Sequence, residues 1–323
     1  IVTTIPGLAE EMLWDYKAGK ISDEALAAAG IRKELVPDVL PTFGVQGMVT
    51  AKAASELGIK AGIPVAYRAG DQPNNALSLN VMEPGETAAT AGTSGVIFGI
   101  TDKPLYDKRC RVNTFSHVGS SAEKPRNGVM VCVNGTGILN SWLKSKAGGV
   151  DYNEMNRLAA LAGPGSAGLM VYPYGNGAER TLENRDIGAR IEGLKFNTHG
   201  RAHLFRAGQE GIVFALNYGF EVMKSMGMKI DNVRAGHANM FLSPVFREVF
   251  ASTCGVTVEL FDTDGSQGAA RGAGLGAGIF RSRKEMFKGL KRIDVIGPDA
   301  GLSKLYAKIY GIWKKNLNGQ PEK

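Results

Sequence analysis

The chain has 323 residues, 44% of them hydrophobic and 21% charged, and carries a net charge of +7 from 38 basic and 31 acidic side chains. That length accommodates roughly two domains of about 150 residues each, and the composition, with no apolar run near the roughly 20 residues of a membrane span, excludes a disordered chain or a membrane partner as the default. The basic residues are scattered except in "RSRKEMFKGLKR" near the end, where one Phe offers little base stacking, so a solvated helix face is expected there and no nucleic-acid partner.

The sequence opens "IVTTIPG" with no initiator Met and no leader-like segment, the opening expected of a piece of something longer. Apolar Leu8, Met12, Leu13 and Tyr16 recur at helical spacing and predict a helix over 6–18; a second follows over 22–29 with Ser22 as N-cap, and a third over 47–57. The run from Val65 to Tyr67 reads as a buried strand entering "AGDQP", where Asp71 is expected as the N-cap of a helix with Gln72 and Pro73 in its first turn. Two strands, 87–90 and 96–100, flank the glycine turn "AGTSG".

Beyond it, "GVMVCVNGTGILNSWLKSK" reads strand, glycine loop, helix, and "GLMVYPYGNGAERTLENRDIGARIEGL" reads strand, long polar loop, return strand. The longest helix is expected in the stretch 200–227, followed by a strand, the "RAGHAN" turn and a helix, then the strand "VTVELF" and a small-residue helix "GSQGAARGAGLGAGIF". Glycine is enriched, 43 of 323 residues against a usual share of about 7%, and marks turns and close backbone approaches. The alternation makes the class α/β.

Cys110, Cys132 and Cys254 lie far apart and the four histidines show no ligand motif beyond the helical spacing of His199 and His203, so neither a disulfide framework nor a protein-held metal is expected, and a reducing cytoplasm is. In "AGTSG", backbone N–H groups and the hydroxyls of Thr93 and Ser94 can point at one anion; an ordinary hairpin turn reads the same way. In "RAGHAN", Gly236 lets a ligand approach bare backbone and Asn239 can bond a base or ribose, or the segment is a polar-capped strand-to-helix turn. "RGAGLGAG" nominally fits a dinucleotide fingerprint but is set back from its strand, which favours close helix packing. Asp71 at a strand end can accept a proton from a substrate hydroxyl, a role compatible with capping.

Taken in order, a strand ending in "GD", a "GTSG" turn, "NGTGILNSWL", an "ERT" loop, "HLFRAGQEGIVFAL" and a strand leading through "AG..N" resemble the FGGY carbohydrate kinases, and among them the xylulokinases. The resemblance runs from about residue 5 to 280. It implies an actin/ribonuclease H-like ATPase domain with a remnant of a second such domain: residues 1–80 as the end of the first, sugar-binding domain, 81–285 as the nucleotide-binding domain, and 286–323 as a C-terminal helical segment. It implies ATP and Mg2+ as cofactors, a small-molecule sugar as partner, and a homodimer. Asp71 then matches the general base, Gln72 a neighbouring substrate contact, and Gly92, Thr93, Gly137, Gly236 and Asn239 the nucleotide contacts. The phosphorylation of a ketose, D-xylulose first and ribulose or glycerol next, is the activity implied. Gln72, the "GHAN" turn and Leu182 after "ERT" depart from the usual xylulokinase pattern, and the family's "DxGT" phosphate motif does not precede Asp71, so the chain alone is expected to be inactive. A non-catalytic nucleotide-binding module and a dehydrogenase using the Gly272 region are the alternatives.

Overall fold

The computed structural model describes residues 1–121 and 123–319. The first eighty residues form small paired elements: β1 (Val2–Thr3), α1 (Ile5–Glu10), β2 (Trp14–Asp15), β3 (Lys20–Ile21), α2 (Asp23–Ala29), β4 (Asp38–Val39), β5 (Phe43–Met48), α3 (Ala51–Leu57), β6 (Pro64–Tyr67) and α4 (Asp71–Ser78). Ser22 caps α2 as its sequence implies, its Oγ accepting from Ala25 N at 3.1 Å. The first expected helix is much shorter than its periodicity suggests. It stops at Glu10 because Met12 turns into the left-handed region (φ 60°) and Trp14–Asp15 pairs with Lys20–Ile21 as a hairpin. The third starts at Ala51 behind a Thr50 cap, since Gly47 and Met48 are paired with β6.

A seven-stranded sheet organises the rest. It comprises β7 (Thr87–Ala91), β8 (Gly95–Thr101), β9 (Asn113–Ser116), β10 (Asn127–Val133), β13 (Asn232–Gly236), β14 (Thr257–Phe261) and β15 (Arg292–Ile296), in the order β15-β14-β13-β7-β8-β10-β9. β7, β13 and β14 are parallel neighbours and the remaining pairings are antiparallel. A separate hairpin joins β11 (Met170–Tyr172) to β12 (Arg190–Glu192).

Side-chain alternation sorts each central strand between two cores. Ala89, Ala91, Ile97, Val129, Val131 and Val133 face the larger one, with Phe214, Phe220, Phe246 and Phe250. Those phenylalanines come from α7 (Arg201–Ser225) and α8 (Pro244–Cys254). Ala88, Val96, Phe98 and Ile100 face the other core, where they meet Ala76 and Leu79 at the end of α4. The helix carrying Asp71 is therefore seated directly on the strands that hold the "AGTSG" turn.

The stretch 286–323, read from sequence as helical, also supplies the edge strand β15, which pairs with β14 because alternating Ile293 and Val295 suit a strand. Its helix α11 (Ala300–Asn318) buries Tyr306, Tyr310 and Trp313 in the larger core. His199 precedes the cap of α7 and so stands off the helix, its ring meeting His203 edge-on at 5.4 Å.

His117, just past β9, is fully buried; its Nδ1 accepts from Gly119 N at 3.1 Å and Nε2 has no partner. Burial, with Arg283 and Arg126 nearby, pushes its imidazole down to about 3. An unfolded His gains a proton near pH 6.5, so between about pH 6.5 and 3 the unfolded state binds more protons and stability falls with pH by about 1.4 kcal/mol per unit. Denaturant titrations at pH 7 and pH 5 should show about 2 kcal/mol of loss from this group. His117→Gln should remove that part of the acid slope, and an identical slope in the variant would contradict the assignment.

Candidate active site

Asp71 is the first helical residue of α4, and Gly70, in extended conformation, is the N-cap; no side chain caps this helix. The sequence expectation that Asp71 is the cap is thus corrected. The helix starts one residue earlier than expected, which puts Asp71 at its first position, and Oδ2 accepts from Gln72 Nε2 at 2.9 Å. Glu10 of α1 lies against Gly70, where a Cβ would sit 1.8 Å from its Oε1, so any larger residue there would push the Glu10 carboxyl aside. Burial, then the charge of Asp71, raises the Glu10 carboxyl above its usual range.

The turn Gly92–Ser94 faces Asp71 across a cavity of about 410 Å3, which is also lined by Gln72, Asn75, Gly236, Asn239 and Asp264. A second cavity of about 440 Å3 lies on the far side of the turn, between Gly137 and Ser141 at the start of α5 (Gly137–Lys146), Tyr152 to Asn156 of α6 (Tyr152–Leu161), and Asn239 to Leu242. Ala91, Gly92, Thr93 and Asn239 line both cavities. Every site residue expected from sequence therefore stands on one of two spaces that meet at the turn. Asp71 opens as well onto a third space of about 720 Å3, with Gln46, Tyr67, Arg68 and Asn74.

The turn is held from behind by the first N–H groups of α5. Gly137 N donates to Gly92 O at 2.9 Å and Ile138 N to Thr93 O at 3.2 Å, which fixes the carbonyls on that side. A Cβ at Gly137 would come within 2.3 Å of Gly92 O. Gly137→Ala should therefore displace the turn at a cost of about 1–3 kcal/mol, seen as a lower midpoint in denaturant unfolding. An alanine variant as stable as the wild type would contradict this. "RAGHAN" differs from its sequence reading: β13 ends at Gly236, Asn239 adopts a left-handed conformation (φ 53°), and α8 begins only at Pro244. Local backbone, with no α-helix N-terminus, shapes the wall there.

The helix α9 (Gly265–Gly276) disposes of the dinucleotide reading. It starts well before Gly272, and its glycines admit close contact with the Asp71 element: a Cβ at Gly268, Gly272 or Gly276 would meet Asn74 O at 2.8 Å, the Tyr67 ring at 2.8 Å or Ala66 O at 1.8 Å. Asn74 Nδ2 adds a bond to Gly265 O at 2.7 Å. The small residues thus let α9 pack closely on β6 and α4, the elements that flank Asp71, while α4 itself rests on β7 and β8. Gln46 and Glu10 lie in no motif, and Arg68, Asn74 and Asp264 adjoin motifs without a role read for them from sequence; the fold gathers all five around Asp71 and its cavities. Among the described residues no group of three His, Cys, Asp or Glu could hold a metal ion, and no helix is long and apolar enough to cross a membrane.

A carboxylate at a helix start, a glycine and hydroxyl turn across a cleft, and a mixed seven-stranded sheet between two cores define the actin/ribonuclease H-like fold of the sugar-kinase type. The N-terminal domain of the FGGY family of carbohydrate kinases matches residues 2–78 and its C-terminal domain residues 87–279; the chain belongs to this family. It is 31% identical over 205 residues to a gluconokinase of Bacillus licheniformis, covering 60% of this chain and 39% of that one. With the xylulose kinase of Lactococcus lactis it shares 25% identity over 324 residues, 98% of this chain and 63% of the relative. The crystal structure of xylulose kinase from Rhodospirillum rubrum superposes with a TM-score of 0.81 at 25% identity, over 98% of this chain and 63% of that one. The chain spans between about two-fifths and just under two-thirds of the length of these relatives.

Proposed function

We propose that this chain forms the C-terminal portion of an ATP-dependent kinase that phosphorylates a hydroxyl of an open-chain sugar. The observation that carries the reading is the shared turn: Asp71 and the Gly92–Ser94 turn line one cavity, and the same turn with Asn239 lines the cavity beside Gly137. Asp71 takes the proton of the substrate hydroxyl as its oxygen attacks the γ-phosphorus in line, and Gln72 orients the neighbouring hydroxyls. The backbone N–H groups of Gly92 and Thr93 and the Thr93 hydroxyl donate to the phosphoryl oxygens and offset their charge, with Gly236 and Asn239 beside the nucleotide and Gly137 holding the turn. Such transfer depends chiefly on positioning and electrostatics, which suits a rigid turn and a base fixed to the same sheet.

Mg2+ supplies charge neutralisation at the phosphates when bound. The two carboxylates on the cavity, Asp71 and Asp264, suit an ion that is held mainly by phosphate oxygens and water. D-Xylulose is the first substrate candidate. Gluconate is the second, favoured by the gluconokinase relative and by Arg68, a cation on the 720 Å3 space beside Asp71. A coupled ATPase assay on the full-length protein with D-xylulose, L-xylulose, ribulose, gluconate and glycerol tests the reading. Sugar-stimulated turnover is expected with one of them. Nucleotide binding with no stimulation by any would favour a non-catalytic module.

A further inference from the structure

Glu179, in the loop between β11 and β12, takes no part in the chemistry above, yet at 0% exposure it is the most enclosed acid among the described residues. Its Oε1 accepts from Asn134 N at 2.8 Å, the N–H of Gly135 also bonds the carboxyl, and Oε2 is buried with no partner. The loop that delivers it is braced on itself: Glu179 N donates to Arg185 O, Glu179 O accepts from Leu182 and Asn184, and Asn134 Nδ2 donates to Ala178 O at 3.0 Å. Residues 134–136 run directly from β10 into α5, whose first two N–H groups grip Gly92 and Thr93. One buried carboxyl thus stands two hydrogen-bonded steps behind the turn.

We propose that Glu179 is a positioning residue for the nucleotide: by clamping the backbone of Asn134 and Gly135 it sets where the start of α5 holds the Gly92–Ser94 turn. The proposal rests on the kinase reading of that turn. A charged acceptor makes the stronger clamp, since hydrogen bonds to an ionised carboxylate exceed those to a neutral one. Burial pushes the Glu179 carboxyl up to about 7, against the pull of the two N–H groups, so both states occur near neutral pH. The groups facing it are Cys132 from β10 and Tyr174 from the end of β11. Burial first, then Glu179, raises the thiol and the phenol, so both stay neutral there. Arg180 stands beside it in its own loop and directs Nη1 to Cys110 O, while Arg190 of β12 acts on Tyr174.

The test compares wild type, Glu179→Gln and Glu179→Ala in the full-length protein by calorimetric titration with ATP from pH 5.5 to 8.5. The ratio of variant to wild-type Kd cancels the ionisation of ATP itself. For Gln, which resembles the protonated acid, the ratio should be near one below pH 6 and rise to roughly fivefold above pH 8, with the step near the Glu179 titration. Ala, which leaves both N–H groups unclamped, should bind more weakly than Gln at every pH. A Gln ratio that is flat with pH, or an Ala variant that binds ATP like the wild type, overturns the proposal alone. Wild type that binds no ATP at any pH overturns the kinase reading and this proposal with it.

Discussion

Asp71→Asn in the full-length enzyme is expected to lower kcat by about 10²-fold or more, the usual scale for a lost general base, with little change in ATP affinity and little change in Tm. The last part follows from the position of the residue. Asp71 does not cap its helix: Gly70 does, and the carboxylate bonds only the Gln72 amide. What asparagine forfeits in stability is the attraction of a first-turn carboxylate to the helix dipole, about 0.3–1 kcal/mol. Were Asp71 a helix cap and nothing more, Asn would replace it with almost no cost and no reason to lose activity. Phosphoryl-transfer rates under saturating ATP, together with a thermal melt, separate the two roles. A variant with near-normal kcat would remove Asp71 from the mechanism and leave the pairing of cavity and turn without a base.

Much of this arrangement is legible in the sequence because it is local. Glycines around Thr93 and Ser94 between two apolar runs specify the hairpin turn, and the small-residue pattern from Gly265 to Gly276 specifies a helix that packs closely, as it does against Tyr67 and Ala66. Boundaries were misread where pairing overrides periodicity: Trp14 and Asp15 satisfy a helical spacing but are taken by a hairpin, and Gly47 and Met48 by the partner β6. Nothing local marks Glu10 or Asp264, which reach Asp71 or its cavity only after distant elements pack. The strand β15 was hidden by the basic residues around it, since an edge strand needs only one apolar side chain in two.

Arg206 and Glu210 of α7 make the other large prediction. They stand one turn apart in "FRAGQEG", a spacing that on an exposed face would be an ordinary ion pair worth a few tenths of a kcal/mol. Here both side chains are about 95% buried and every strong donor finds an acceptor. Arg206 Nε bonds Glu210 Oε1 at 2.9 Å, Nη1 bonds Ala162 O at 2.9 Å, and Nη2 reaches Tyr306 of α11 at 2.8 Å. Glu210 in turn accepts from Gly165 N, Ser166 Oγ and the Tyr306 hydroxyl. Removing one partner strands the other charge in the core, so Glu210→Ala should cost about 3–5 kcal/mol, a fall in Tm on the order of 10 °C. Tyr306→Phe, which deletes one hydroxyl from the same network, should cost only about 1–2 kcal/mol. Replacing the pair together, Arg206→Met with Glu210→Leu, should cost much less than the sum of the single changes, because no charge is then left unpaired. Chemical denaturation of Glu210→Ala, Tyr306→Phe, the single changes Arg206→Met and Glu210→Leu, and the double variant tests this. A loss below about 1 kcal/mol for Glu210→Ala, or strict additivity in the double variant, would mean that water reaches the pair and that α11 is held by its aromatic contacts, Tyr310 and Trp313 against Phe214, without it.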